Sequence, residues 1–233
     1  TIRESGEKFV YGEPALWCGI MVGGYEMPFE NVTIINNDIE NNYFGVLLWF
    51  SIDGMIMDNN IENNTYGVGG SGFRTDISCN NVSNSFLGIS MQYLWQSNIT
   101  DNTLTLNEIA GLRMQDSSFN IIDGNYIENN WYGIDLSESD NNNITGNIII
   151  KNEYGMSLGR SSINLIYHNN FVSNTIQVYN SLSNNTWNDL YPSGGNYWSD
   201  YSGVDIKNGP AQDMPGSDGI GDTTYIIDSN NVD

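Results

Sequence analysis

Residues 34–46 read IINNDIENNYFGV, and residues 56–68 read IMDNNIENNTYGV. The same frame returns as ISCNNVSNSFLGI (77–89), ITDNTLTLNEIAGL (99–112), IDGNYIENNWYGI (122–134), ITGNIIIKNEYGM (144–156) and IYHNNFVSNTIQV (166–178). Seven copies at a step of about 22 residues mark a repeat architecture, in which each unit buries its apolar side on its neighbours. Asn and Gly recur inside every unit, and both are poor residues for a helix interior. Short β-branched pieces broken by Asn and Gly are the grammar of strands and turns.

Three columns of the repeat are almost purely apolar. The first runs Ile34, Ile56, Ile77, Ile99, Ile122, Ile144, Ile166. The second runs Ile39, Ile61, Val82, Leu104, Ile127, Ile149, Phe171, and the third Val46, Val68, Ile89, Leu112, Ile134, Met156, Val178. A fourth, more mixed column holds Leu48, Gly70, Met91, Met114, Leu136 and Leu158. About three short strands per unit, each stacked in parallel on the next coil at about 4.8 Å, give a parallel β-helix. An unbroken series from Asn37 through Asn59, Asn80, Asn102, Asn125 and Asn147 to Asn169 is expected to pair side-chain amides along the stack. The glycines Gly45, Gly67, Gly88, Gly111, Gly133 and Gly155 mark a site of unusual φ or of close backbone approach.

These columns divide one structural domain into an N-terminal cap and partial coil (1–29), a solenoid of seven repeats (30–180) and a C-terminal cap (181–233). Within the first part, Gly19 and Ile20 echo the repeat. In the last, Trp187, Tyr191, Tyr197, Trp198 and Tyr201 are expected to fold back as a lid over the final coil.

Acidic residues outnumber basic ones 28 to 7, for a formal charge of -21. That charge disfavours DNA, RNA and anionic lipid as partners. No apolar run reaches the length of a membrane span, so membrane insertion is not expected. Cys18 and Cys79 stand two or more coils apart in the stack, beyond disulfide reach, and are expected as free thiols. Sequons at Asn31, Asn63, Asn81, Asn98, Asn143 and Asn184 are compatible with an exported glycoprotein.

Candidate sites are few. The segment DMPGSDGIGD (213–222) spaces Asp213, Asp218 and Asp222 by short glycine turns, and Asp200 and Asp205 could add oxygens. That pattern suits a hard cation such as calcium, and equally an Asp-Gly turn that caps the fold without metal. Trp49, Tyr93 and Trp95 lie off the regular columns and are candidates for a glycan-contact platform. Tyr66, Tyr132 and Tyr154 share a column, which reads first as an aromatic stack that stabilises the solenoid. The bases Arg74, Arg113, Lys151 and Arg160 fall in no common column, and Asp58 and Asp101, two coils apart, have Cys79 between them. A single histidine, His168, precedes the asparagine series, and Met91 and Met114 lie in a core column, so a copper site of clustered soft ligands is not apparent.

The repeat, followed by NTWND (185–189), GGNYWSDYSGVD (194–205) and GSDGIGDTTYIID (216–228), resembles the NosD-type, carbohydrate-binding and sugar-hydrolase class of right-handed parallel β-helices. Its tail is similar to that of archaeal surface or secreted members, which often continue beyond the point where this sequence stops. The resemblance implies right-handedness and an extracellular or cell-envelope location. It also implies one of three roles: a surface or glycan-binding protein, a polysaccharide-active enzyme, or a copper-accessory protein. The residues favour the first, a non-catalytic protein that contacts glycans, other envelope proteins, or further copies of itself in a homo-oligomer or filament.

Overall fold

A computed structural model describes residues 2–3, 18–23 and 29–233. The chain is all-β: a right-handed parallel β-helix of three sheets. Sheet A stacks three-residue strands from Thr33–Ile35 and Met55–Met57 to Leu165–Tyr167. Sheet C stacks strands of the same length from Asp38–Glu40 to Asn170–Val172, and Tyr197–Trp198 closes it. Sheet B has the long strands, Cys18–Gly23, Phe44–Ile52, Tyr66–Phe73, Leu87–Trp95, Ala110–Gln115, Tyr132–Ser137, Tyr154–Gly159 and Ile176–Ser181. No helix of the described residues is long and apolar enough to cross a membrane.

The four apolar columns form the core. Ile77, Ile99, Ile122, Val82, Leu104, Ile127, Ile89, Leu112 and Ile134 are all fully buried, and each column runs in register from coil to coil. The pairing of Ile20 with Val46 places Gly19 beside Gly45, so the echo of the repeat before residue 30 is a real coil of sheet B. Most of the expected N-terminal cap, residues 1–29, lies outside the described residues.

The expected asparagine series is a continuous ladder. Asn125 Nδ2 donates to the carbonyls of Ile99 (2.8 Å) and Asp123 (3.2 Å) and to Asn147 Oδ1 (2.9 Å). Its own Oδ1 accepts from Asn102 N and Nδ2, both at 3.0 Å. One amide, with two donors and two lone pairs, therefore satisfies the corner of its own coil and the corner before it. Two more ladders stand at the other corners. One runs Asn42, Asn64, Ser85, Asn107, Asn130, Asn152, Asn174, and the other Ser97, Asn120, Asn142, Asn164, Asn185.

Immediately before the first ladder, Asn36, Asp58, Cys79, Asp101, Gly124, Gly146 and His168 are all left-handed, with φ between 54° and 67°. This is why the position before the ladder is outward and polar, since a residue at positive φ turns the chain and points away from the core. The repeat glycines have a different cause. A Cβ on Gly133 would lie 2.5 Å from the Gly155 carbonyl oxygen and 2.9 Å from Ile149 Cγ2, so the column records close approach of successive coils.

The tail does more than cover the last coil. Thr186 bridges to Leu165 in sheet A and Tyr197–Trp198 pairs with Asn170–Phe171 in sheet C, which adds part of a further turn. Trp187 and Trp198 are buried, and the rings of Phe171, Trp198 and Tyr225 stack at 4.5 and 4.2 Å. Tyr201 packs on this cluster, whereas Tyr191 and Tyr197 of the expected lid face solvent.

Candidate functional site

Only sheet B is long enough to present a continuous outer face. Within its eight stacked strands Asp135 is the one carboxylate and Arg113 the one cation, in a chain of charge -21, and a ninth, two-residue strand, Phe29–Glu30, adds Glu30 beside Ile52 at the end of the strand Phe44–Ile52. The outer faces of sheets A and C hold Asp76, Asp123, Asp38, Glu40, Glu62 and Glu128.

Two rows outside the core columns define the face, with Leu47, Leu87 and Ala110 buried among their neighbours. The first runs Phe44, Tyr66, Leu87, Ala110, Tyr132, Tyr154, Ile176. The shared tyrosine column is thus two separate stacks, Phe44 on Tyr66 at 4.7 Å and Tyr132 on Tyr154 at 5.1 Å, with Leu87 and Ala110 between them. Tyr43 meets the first stack edge-on, and Trp131 and Tyr179 meet Tyr154. Three coil steps of about 4.8 Å put Tyr66 and Tyr132 about 14 Å apart.

The second row runs Leu47, Gly69, Ser90, Arg113, Asp135, Ser157, Tyr179, and so places Arg113 and Asp135 between and beside the stacks. Arg113 Nε lies 3.5 Å from Asp135 Oδ2. Burial pushes the Asp135 carboxyl above its ordinary value, while Ser157 and the Arg113 charge pull the other way. Burial also raises the Tyr66 phenol, as does Tyr43, and the Arg113 charge opposes them. Gln92 and Gln115 pair in the next outward row, so the floor beyond the charged pair is neutral and amide-lined.

The expected platform residues lie at the rim of this face. Trp49 sits at the bulge between Leu48 and Ser51, and Tyr93 at the matching bulge between Met91 and Leu94, where it is exposed at φ 56°. Trp95 ends the same strand, exposed, and its ring tilts on Phe119 at 6.1 Å. The structure therefore brings together the Arg113–Asp135 pair and the tyrosine stacks, which the sequence left apart. Their signal was the register: Arg113 and Asp135 each stand two residues after a repeat glycine.

In the tail, Asp205 accepts from Ser217 Oγ (2.6 Å) and the N–H groups of Asp218 (3.1 Å) and Gly219 (3.0 Å). The Ser217 hydroxyl, with these backbone donors, holds the Asp205 carboxyl below its ordinary value despite some desolvation. Asp218 accepts from Gly209 N, Gln212 Nε2 and Ile220 N, and Asp222 from Ile206 N and Lys207 N. Asp200 turns instead to Gln177 and Tyr225, and Asp213 is exposed. No three acidic, histidine or cysteine side chains converge as metal ligands among the described residues. The loop closes on N–H donors. All six sequon asparagines lie off the ladder positions; Asn31, Asn63, Asn81, Asn98 and Asn184 are exposed and Asn143 is half-buried.

Residues 18–203 match the family model described as "Periplasmic copper-binding protein (NosD)". No curated protein matches the sequence. Among solved structures, the periplasmic alginate epimerase AlgG is 25% identical with a TM-score of 0.62, covering 70% of this chain and 42% of its own. A double mutant of AlgG gives 26% identity and 0.60, over 69% and 39%. The Dettilon tailspike protein shares the fold at 13% identity and 0.58, over 71% and 47%. The chain thus spans about two fifths of the AlgG length.

The residues present do not fit the copper that the family description implies. His168 is exposed, and its Nε2 lies 3.0 Å from the Ser193 carbonyl. Met91 and Met114 are buried in the core. Both thiols are free, and burial raises each, with Asp58, Asp101 and Asp76 adding to the effect at Cys79. The two thiols stand about three coils apart, and neither joins a cluster of three candidate ligands among the described residues. What the match does show is ancestry and fold: spanning most of the sequence, it establishes that the chain belongs to the NosD family.

Proposed function

We propose that this protein acts in the cell envelope or outside the cell, and contacts glycans through the outer face of sheet B without cleaving them. The observation that carries the reading is the pair of aromatic stacks, Phe44–Tyr66 and Tyr132–Tyr154, on a face whose eight stacked strands hold a single carboxylate. Tyrosine offers a sugar both an apolar ring face and a polar tip. Glutamines and serines beside the stacks offer the donors and acceptors that hydroxyl groups need. Trp49 and Tyr93 extend the face at its rim. The family description and AlgG are both periplasmic, which supports the location, and AlgG's named substrate is a polysaccharide. Hydrolysis by paired carboxylates needs two such groups flanking the bond, and beside the aromatic stacks the face supplies Asp135 alone.

The test is titration of the intact chain with neutral and acidic oligosaccharides, compared with a Tyr132→Ala/Tyr154→Ala variant whose fold is checked by circular dichroism. Binding that weakens by about tenfold or more supports the reading. Binding unchanged in the variant, or turnover of the oligosaccharide, overturns it. Assembly into a filament is the competing proposal, and an open solenoid end would favour it. At the C-terminal end Trp187, Trp198 and Tyr225 cover the last coil. Calcium at Asp205, Asp213, Asp218, Asp222 and Asp200 is a separate proposal, to be decided by calorimetric titration of the ion.

A further inference from the structure

Resting on the glycan-contact reading, we propose that Arg113 selects a carboxylate-bearing sugar and that Asp135 positions the Arg113 guanidinium. Three other ion pairs show what a satisfied cation looks like in this chain. Arg74 holds Asp53 through two bonds of 2.6 and 2.7 Å, Lys151 meets Glu128 at 2.9 Å, and Arg160 meets Glu138 at 3.3 Å. All three stand at corners of the solenoid, each next to a strand end.

Arg113 differs in both respects. It is on the face of a strand, and its contact with Asp135 is the longest of the four at 3.5 Å. Among the described residues none of its donors makes a hydrogen bond, and its side chain is 42% exposed. An arginine presents a planar fork of five N–H donors matched to a carboxylate. Here the fork is anchored at one edge by Asp135 and otherwise open.

The surroundings narrow the ligand. Arg113 shares a coil with Ala110, which together with Leu87 separates the two aromatic stacks, and its row neighbours are Ser90 and Asp135, so it stands beside the gap between them. A sugar ring stacked on Tyr66 or Tyr132 would bring a ring carboxylate to it. A formal charge of -21 repels a polyanion from afar, but at physiological salt that repulsion is screened beyond about 8 Å. Recognition is therefore local, of one acidic sugar at a time. Asp135 positions the fork by holding its Nε edge, and its charge also competes with the ligand carboxylate.

The probes are trigalacturonate and its carboxyl-reduced, neutral counterpart, titrated into the intact chain at physiological ionic strength. Wild type should prefer the acidic trimer by about tenfold or more, as a charge-assisted, forked contact warrants. Arg113→Gln should abolish the preference, Arg113→Lys should restore part of it, and Asp135→Asn should strengthen acidic binding. Equal binding of the two trimers by wild type, or a preference that survives Arg113→Gln, overturns the inference and leaves the glycan reading standing. Failure of both trimers to bind overturns the inference. It counts against the wider reading only if the neutral and acidic oligosaccharides tested above also fail.

Discussion

Asn196 donates both its backbone N–H (2.7 Å) and its side-chain amide (3.1 Å) to one oxygen of Asp233, Oδ2, and Trp198 Nε1 donates to the same atom at 2.7 Å. Asn196 is the last amide of the ladder that begins at Asn37, since it accepts from Asn169 N and Nδ2. In each ladder the backbone N–H of one corner residue donates to the side-chain oxygen of its counterpart in the next coil, so the last donors need an acceptor that demands nothing further. All three ladders end on a carboxylate. The second passes from Asn174 through Gln177 to Asp200, and the third from Asn185 through Asn231 to Asp228. The relation parallels that of an acidic group at the N–H end of a helix.

Asp233→Ala removes the acceptor of three donors and is expected to loosen the cap first. Hydrogen exchange should accelerate at residues 185–198 and Trp198 fluorescence should shift, while the coils around Asn102 keep their protection. Uniform loss of protection along the solenoid would show that the carboxylate supports the whole fold and not its end.

Within the ladder, Asn125→Ala strands the Ile99 and Asp123 carbonyls and the Asn102 donors in a fully buried corner. Unsatisfied buried groups cost about 1–3 kcal/mol each, so a loss of about 3 kcal/mol or more is expected. Urea unfolding measures it, against Asn98→Ala at an exposed strand position as the control expected to change little.

Gly133→Ala drives a Cβ into the Gly155 carbonyl at 2.5 Å and should cost about 2 kcal/mol or more, because backbone on both sides is fixed by pairing. Gly159→Ala meets only the Leu136 carbonyl at 3.8 Å and should be tolerated. Thermal unfolding of the two variants separates close approach from a general intolerance of side chains in sheet B.

The pH dependence has a definite sign at Asp135. Burial raises its carboxyl above the ordinary 3.8, so the folded state holds the proton longer than the unfolded one. Its contribution is fully present below about 3.8 and is lost as pH rises through the raised folded value. Asp135→Asn removes that loss, so the variant's stability relative to wild type should rise between pH 3.5 and pH 7 (about the span of the titration). Asp228 works the other way. Burial pushes it up, but donors from Asn231, Asn180 and Asn230 outweigh this and hold it low, so its contribution is lost as pH falls. Urea midpoints at the two pH values decide the Asp135 case.

The solenoid was legible because burial on one side of every coil repeats at a fixed step, as Ile77, Ile99 and Ile122 illustrate. The Asn37–Asn169 ladder was legible for the same reason. The other two ladders mix Ser with Asn, at Ser85 and Ser97, so no single residue type runs through them. The Arg113–Asp135 pair was hidden more deeply. Its row holds Leu47, Gly69, Ser90, Ser157 and Tyr179 elsewhere, so no shared residue type marks it. The chemistry arises from stacking different side chains, and stacking is set by the core. In the tail, Asp205, Asp218 and Asp222 take backbone N–H partners, which no spacing of acidic residues reveals.

Whether sheet B is the contact face is decided by a footprint. Hydrogen exchange of the intact chain, with and without a saturating oligosaccharide, should show new protection at Tyr66, Ser90, Arg113–Gln115, Tyr132–Ser137 and Tyr154–Ser157. Protection confined to the outer strands of sheet A or C, or to the tail loop, would contradict the account.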